Sequence, residues 1–341
     1  MQLREEVTLA PYTTFGIGGP ARWFAEADSE ESVVEAVRFA RERRLPLLVL
    51  GGGSNLLVAD KGFPGVVAHV ALRGVEQEGA VFHAAAGENW DDFVSLTVER
   101  GYGGVECLAG IPGTVGGTPV QNVGAYGQEV AGTIVSVRVL DLERLTFREL
   151  SAAECGFAYR HSIFNSTHKG RFVVTRVSYR LMADARPVLT YADLQRRFEG
   201  QSPTLIGVSA AVREIRHSKG MLLVEGEQDC RSAGSFFRNP VVAQTVYERI
   251  AAEAGGATPH WAAGEGLVKI PAAWLVERAG FQKGFALGAA GISSRHTLAV
   301  INRGGATAKD VLALRDRIEA VVEAKFGVRL EPEPVLVGFG E

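Results

Sequence analysis

Glycine is clustered along this chain, and the clusters limit what its backbone can do more than any other feature. There are 41 glycines in 341 residues, nearly twice the usual share of about 7%. They gather at 16–19, 51–53, 101–104, 110–117 and 124–127, without a fixed period. A residue with no Cβ turns where others cannot and lets backbone approach a ligand closely. The pattern implies regular elements interrupted by several tight, special-purpose loops.

The regular elements are legible between the clusters. Ser29 to Arg44 reads as a helix, with Ser29 as cap and Val33, Val34, Val37 and Ala40 on one face. Leu45 to Leu50 follows as a buried strand, and 56–59 and 65–72 read as further strands. Asn89 to Gly101 has a capping residue at one end and glycine at the other. The segments 133–142 and 172–181 alternate like half-buried strands. Beyond residue 190, helices are expected at 191–198, 205–216, 241–255, 271–280 and 309–326, and strands at 297–301 and 328–337. Thr307 with Asp310 makes a capping box for the last helix.

A chain of 341 residues is too long for one ordinary core and implies two or three packed units. The expected divisions fall near 70, 200 and 325. Hydrophobic residues at 46% and charged residues at 22% fit a globular protein. The net charge of -3 gives no basic field for nucleic acid or an anionic membrane. No run approaches the ~20 apolar residues that span a bilayer, and MQLREEVTLA lacks a signal-peptide core. A cytoplasmic location is expected. Cys107, Cys155 and Cys230 form no CxxC pair, so neither a disulfide framework nor a zinc site is expected, and no metal.

Three glycine clusters bear on chemistry. Gly16 to Ala21 satisfies a GxGxxA search. That fingerprint needs a strand before it and a helix after it; here Pro11 and two threonines precede it, and ARWFAEA alternates like a strand. Gly51, Gly52, Gly53, Ser54 and Asn55 follow a buried strand directly. This is either a tight turn or a nest of N–H groups suited to a pyrophosphate. Residues 109–127, AGIPGTVGGTPVQNVGAYG, are apolar, uncharged and rich in amide and hydroxyl groups. They fit either a cover for a neutral ring system such as an isoalloxazine or a structural Ω-loop.

Further runs stand in a definite order: PYTTFGIGG, GGGSNLL, the segment 109–127, FAYRHSIF, VLTYADL, SAGSFFRNP and LEPEPVLVG. Together, from Pro11 to Gly338, they resemble the UDP-N-acetylenolpyruvoylglucosamine reductase family. The resemblance implies an α+β fold: a vanillyl-alcohol-oxidase or PCMH-type FAD-binding module of two α/β subdomains, at 1–70 and 71–200. A C-terminal α/β substrate-binding domain would occupy 201–325, with a strand at 326–341 carrying a catalytic glutamate. VLTYADL resembles the longer branch of the family, in which a tyrosine loop folds over the substrate. Residues 220–231 match only loosely.

The resemblance also implies roles. FAD, held without a covalent bond, would contact Gly51, Gly52, Gly53, Ser54, Asn55, Gly110, Ile111, Pro112, Gly113, Thr114, Gly116, Gly117, Gln121, Asn122, Gly124 and Ala125. Asn55 stands where some flavin-linked relatives carry histidine. NADPH would be the co-substrate and UDP-N-acetylglucosamine enolpyruvate the substrate, reduced by a monomer in peptidoglycan precursor synthesis. Arg160 would meet the substrate carboxylate, Glu333 would assist at the enediolate, and Ser235 would supply a proton. Tyr191, Lys219, Asn239 and His296 would contact the nucleotide sugar. Two other readings are an FAD-dependent oxidase, which needs no Ser235, and a flavin- or nucleotide-sugar-binding protein without turnover.

Overall fold

The computed structural model describes every residue except Gly255, Ala257 and Glu341. The chain forms two compact units, each assembled from separated stretches. The first takes Met1–Val7, Pro20–Gly53 and Phe63–His217; the second takes Thr8–Gly19, Ser54–Gly62 and Ser218–Glu341.

In the first unit, a four-stranded sheet has the order Gln2–Thr8, Pro20–Ala27, Phe63–Val70, Leu47–Leu50. Phe63–Val70 pairs in parallel with both of its neighbours. The helix Glu30–Glu42 starts at Ser29, whose hydroxyl accepts the Ser32 N–H at 3.2 Å. Its buried face meets the sheet through small residues, Ala36 and Ala40 against Ala25, Val66 and Ala68. Small side chains let helix and sheet approach closely, and Phe39 closes the edge against Trp23 at 5.1 Å.

A five-stranded antiparallel sheet completes this unit, in the order Thr146–Ser151, Ile134–Asp141, Phe172–Arg180, Val81–Ala85, Val75–Glu78. The helix Trp90–Glu99 is capped by Asn89, whose side-chain oxygen accepts the N–H groups of Asp91 and Asp92 at 2.8 and 3.1 Å. Trp90, Phe93 and Tyr179 form a buried aromatic triangle with centroids 5.0 to 5.8 Å apart. Aromatic clusters of this size anchor a core strongly.

The second unit contains two three-stranded sheets. One has the order Val241–Ala243, Leu267–Lys269, Trp261–Ala262, and the other Ala286–Leu287, Ala290–Ile292, Val300–Asn302. Its long helix, Ala308–Phe326, has the expected capping box of Thr307 and Asp310 and ends at Gly327, in the left-handed region at φ 65. Asp60 adds a second cap, accepting the N–H groups of Ala308 and Lys309 at 2.7 and 3.2 Å. The core holds Phe15, Leu57, Phe236, Phe237, Leu275, Ile318 and Val322.

Several elements differ from expectation. Leu56–Val58 does not join the first sheet but pairs in parallel with Val335–Val337, because Leu57 is buried among the side chains of the second unit's core. The strand expected over 328–337 shrinks to Val335–Val337, since Pro332 and Pro334 have no N–H to give a ladder. The expected helix 241–255 begins with the strand Val241–Ala243 and runs as a helix over Gln244–Ala254; Gly255 lies outside the described residues. Thr297 and Leu298, expected in a strand, sit in a turn before Val300–Asn302. The segment after Gly16 to Gly19 is the strand Pro20–Ala27, as the failed fingerprint test implied.

Candidate active site

In the first unit the loop 109–127 is held by hooks on its buried side. Trp90 donates its indole N–H to the Leu108 carbonyl at 3.0 Å. The Thr118 hydroxyl lies 2.6 Å from the Tyr179 hydroxyl, both fully buried. Burial pushes that phenol's pKa up, so it stays protonated and available as a donor. Asp91 accepts the Gly110 N–H at 2.5 Å and is paired with Arg213 at 2.7 Å. Asn122, at φ 46, is 1% exposed. Its amide donates to Glu129 and to the Ala158 carbonyl, at 2.8 and 3.1 Å, and its oxygen accepts the Ala131 N–H at 3.0 Å. These bonds tie the loop to Glu129, Ala158 and Ala131.

Gly52 meets this loop backbone to backbone, and Gly51 lies against a side chain of it. A Cβ on Gly52 would stand 2.6 Å from Gly113 Cα, and one on Gly51 would stand 2.8 Å from Thr114 Oγ1. Gly52 admits no side chain, and one at Gly51 would have to displace the Thr114 hydroxyl. Gly53 turns the chain in the left-handed region at φ 58, and the chain passes into the second unit at Ser54. A Cβ on Gly117, by contrast, would meet nothing within 4 Å. No charged residue occurs over 109–127. This cradle of backbone, amide and hydroxyl groups fits a large neutral ring system joined to a pyrophosphate, which is the build of FAD.

Arg160 is brought to the same loop. It occupies a tight turn at φ 53, where the N–H groups and carbonyls of Ala158 and His161 bond reciprocally. Its guanidinium donates to the Gly124 carbonyl at 2.9 Å. Tyr191 packs edge-on against Tyr126 at 5.1 Å, and it precedes the short helix Ala192–Arg197. Sequence reasoning quoted Tyr126 without singling it out and passed over Arg216 entirely. Arg216, on the helix Leu205–Ser218, donates to the Gly110 carbonyl at 2.9 Å. Burial lowers its pKa, and Tyr126 and Asp91 oppose that shift. The missed signal was an arginine one turn beyond the buried Val212 on an amphipathic helix.

The second unit gathers the other expected residues. Phe236, which follows Ser235, donates its N–H to the Leu298 carbonyl at 2.7 Å, and its own carbonyl accepts the Glu333 N–H at 2.8 Å. One peptide neighbour of Ser235 therefore ties together the Glu333 segment and the turn that holds His296. Asn55 joins the group: its amide donates to the Glu333 carbonyl at 3.4 Å, and its carbonyl accepts the Val335 N–H at 2.9 Å. Asn239 caps the helix Ala272–Arg278, its side-chain oxygen accepting the Ala272 N–H at 2.9 Å. Lys219 precedes Gly220, where an added Cβ would stand 3.2 Å from Ser293 Oγ, at the start of the His296 turn. Burial, with Lys219 and Lys283 nearby, lowers the His296 pKa to about 4. The structure thus groups Arg160 and Tyr191 with the glycine loop in one unit, and Ser235, Glu333, Asn55 and His296 in the other.

The cysteines have no place in this chemistry. Cys107, Cys155 and Cys230 are buried and free. Burial pushes the thiols of Cys107 and Cys155 up to about 12, which keeps them from acting as thiolates. Among the described residues, no helix is long and apolar enough to cross a membrane.

Similarity to known proteins agrees with the geometry. Residues 21–146 match an FAD binding domain, and residues 226–337 match the C-terminal domain of UDP-N-acetylenolpyruvoylglucosamine reductase. The reductase of that name from Streptomyces coelicolor is 46% identical, covering 99% of this chain and 91% of its own length. The one from Thermobifida fusca is 47% identical over 97% of each chain. The crystal structure of the Thermus caldophilus reductase superposes with a TM-score of 0.69 at 28% identity, covering 98% of this chain and all of its own. An uncharged glycine cradle with Arg160 beside it, and Ser235 and Glu333 joined through one peptide, are held in a chain whose likeness to these reductases runs from end to end: it belongs to the UDP-N-acetylenolpyruvoylglucosamine reductase family.

Proposed function

We infer that this chain catalyses the NADPH-dependent, FAD-mediated reduction of UDP-N-acetylglucosamine enolpyruvate to UDP-N-acetylmuramate, a step of peptidoglycan precursor synthesis. The family carries the reaction. The observation that supports the residue roles is the pair of backbone bonds at Phe236, which sets the proton-donor candidate Ser235 beside the Glu333 segment.

The substrate is an enol ether conjugated to a carboxylate. FAD, held without a covalent bond by segments 51–55 and 110–125, would supply hydride chemistry between NADPH and the terminal methylene carbon of the enol ether. The new C–H bond pushes the alkene electrons into the carboxylate as an enediolate, and the adjacent carbon then takes a proton. Arg160 meets the carboxylate and stabilises the charge that develops there. Glu333 assists at the enediolate. Ser235 gives its hydroxyl proton to carbon, which an alcohol can do when the acceptor is a strongly basic carbanion-like centre and neighbouring donors relieve the alkoxide. Tyr191 and Lys219 hold the nucleotide diphosphate, with Asn239 nearby and lysine acting as a compact point charge, and His296 belongs to the substrate-binding set. The glycine segments 51–55 and 110–125 hold FAD. NADPH and the enolpyruvyl compound use one site in turn, so the kinetics are ping-pong.

The same reading assigns 1–70 and 71–200 to FAD, 201–325 to the nucleotide sugar and 326–341 to the strand that carries Glu333. It has the chain work as a monomer in the cytoplasm, away from nucleic acid and membranes, which sedimentation and cell fractionation check. The deciding experiment is an anaerobic absorption titration of the purified protein. Flavin bands that bleach with NADPH and return with the enolpyruvyl compound are expected. A protein that cannot be reconstituted with FAD, or a reduced one that ignores the enolpyruvyl compound, overturns the reading.

A further inference from the structure

The turn 293–299 in the second unit is closed by an unusual division of labour within one residue. His296 accepts two hydrogen bonds from the chain just after it. Its ring Nδ1 takes the Leu298 N–H at 3.1 Å, and its own carbonyl takes the Ala299 N–H at 3.1 Å. Those two donors lie on the two peptide planes that flank the Leu298 Cα. Fixing both planes fixes the direction of the Leu298 carbonyl, and that carbonyl accepts the Phe236 N–H at 2.7 Å. The start of the turn is pinned separately: Ser293 Oγ accepts the N–H groups of Arg295 and His296, and the Thr297 hydroxyl donates to Glu277.

We propose that His296 is a positioning residue for Ser235, acting through the Leu298 peptide and the Phe236 N–H rather than as an acid or as a charge. The inference rests on the reading of Ser235 as proton donor. A proton transfer to carbon tolerates little misplacement of the donor, and a shift of about 1 Å can cost on the order of 10²-fold in rate. Leu298 is 8% exposed, so its N–H has little water to turn to when the ring acceptor is lost.

The bonding also fixes the state of the ring. A backbone N–H can only donate, so Nδ1 carries the lone pair and the proton of the neutral ring sits on Nε2. Protonating Nδ1 would set two donors against each other. Burial is the largest cause disfavouring the charged ring, Lys219 and Lys283 add to it, and Glu277 opposes them. The ring therefore stays neutral throughout the neutral and mildly acidic range, where an imidazolium acting as general acid would be absent.

Two variants and a spectrum test this on the FAD-loaded protein. His296→Asn keeps an acceptor near the position of Nδ1; His296→Leu keeps bulk and removes the acceptor. Ring ¹⁵N spectra of the wild type, assigned by difference from His296→Asn, should show an unprotonated Nδ1 and a protonated Nε2, unchanged from pH 8 to pH 5. Reoxidation by the enolpyruvyl compound should slow about 10- to 100-fold in His296→Leu, with an enlarged solvent deuterium isotope effect and little change in KM. His296→Asn should recover most of that loss. A ring protonated at Nδ1 overturns the proposal, as does a His296→Asn variant as slow as His296→Leu, or a loss confined to KM. If Ser235→Ala is slow while His296→Leu is fast, the positioning role alone fails. If Ser235→Ala itself reoxidises normally, the proton-donor reading fails and the positioning role falls with it.

Discussion

The Glu333 N–H donates to the Phe236 carbonyl at 2.8 Å, so two segments from opposite ends of the C-terminal third are held at a fixed separation by backbone alone. Phe236 is fully buried and Phe237 is 2% exposed, and a short bridge between Phe237 and Pro332 supports the contact. The aromatic pair fills the core while the backbone beside it carries Ser235 and binds the Glu333 N–H. Side chains placed on rigid backbone, as the proposed roles of Ser235 and Glu333 require, need little further organisation before reaction.

Removing the Ser235 hydroxyl should separate the half-reactions. In Ser235→Ala, reduction of bound FAD by NADPH should proceed within about twofold of normal, while reoxidation by the enolpyruvyl compound slows by roughly 10³-fold or more. Stopped-flow absorbance on each half-reaction reads this. Equal loss in both would contradict the proton-donor role.

Gly127 should prove necessary for seating Tyr191. Its φ is +87, and an added Cβ would collide with the Thr190 hydroxyl, next to the residue that stacks on Tyr126 at 5.1 Å. Gly127→Ala forces the tyrosine segment off its seat. The expected result is a rise of about 10-fold in KM for the nucleotide sugar, corresponding to roughly 1.4 kcal/mol, with normal FAD content. Steady-state kinetics with both substrates varied would detect it, and an unchanged KM would show that the pairing is incidental.

Asn122 should matter for stability and for FAD retention. Asn122→Ala removes a buried side chain that makes three part-buried hydrogen bonds, at a cost of about 3 kcal/mol. Melting of the FAD-loaded protein should fall by roughly 6–12 °C, and FAD should be released more readily on dilution. Differential scanning calorimetry with flavin fluorescence reads both at once.

Stability should carry a signature of His296 in acid. Its folded pKa of about 4 lies below the ordinary value of 6.5, so the unfolded chain takes up a proton first as the pH falls. The stabilisation is fully present above pH 6.5, declines between 6.5 and 4, and is gone below 4. The span amounts to about 3 kcal/mol at most. The unfolding free energies of wild type and His296→Asn, measured in urea across that range, should differ by an amount that changes steadily between pH 6.5 and 4. A constant difference would mean that the ring titrates normally.

Much of this was legible in the residues. Ser29, Asn89 and Thr307 announced their helices because a capping side chain acts on N–H groups two or three residues away. The glycine clusters marked the cradle because only glycine fits where Gly52 meets Gly113. The strand Leu56–Val58 was found as a strand but not with its partner, since apolar periodicity specifies a buried edge and says nothing about which edge covers it. Arg216 and Tyr126 are less legible for a related reason: a polar side chain on a helix or in a turn gains meaning only when its partner is known.

The sequence by itself determined the local elements, the positions where backbone must turn without a side chain, and, through the order of its motifs, the family. Tertiary structure decided which segments meet. It set Glu333 and the His296 turn on either side of Phe236, Arg160 on the Gly124 carbonyl, and the Asn122 side chain on Glu129, Ala158 and Ala131. Capping and turning are governed by residues a few positions apart, so they can be read along the chain. Hydrogen bonds between distant peptides depend on core packing that brings those segments together, and a linear pattern does not specify that packing.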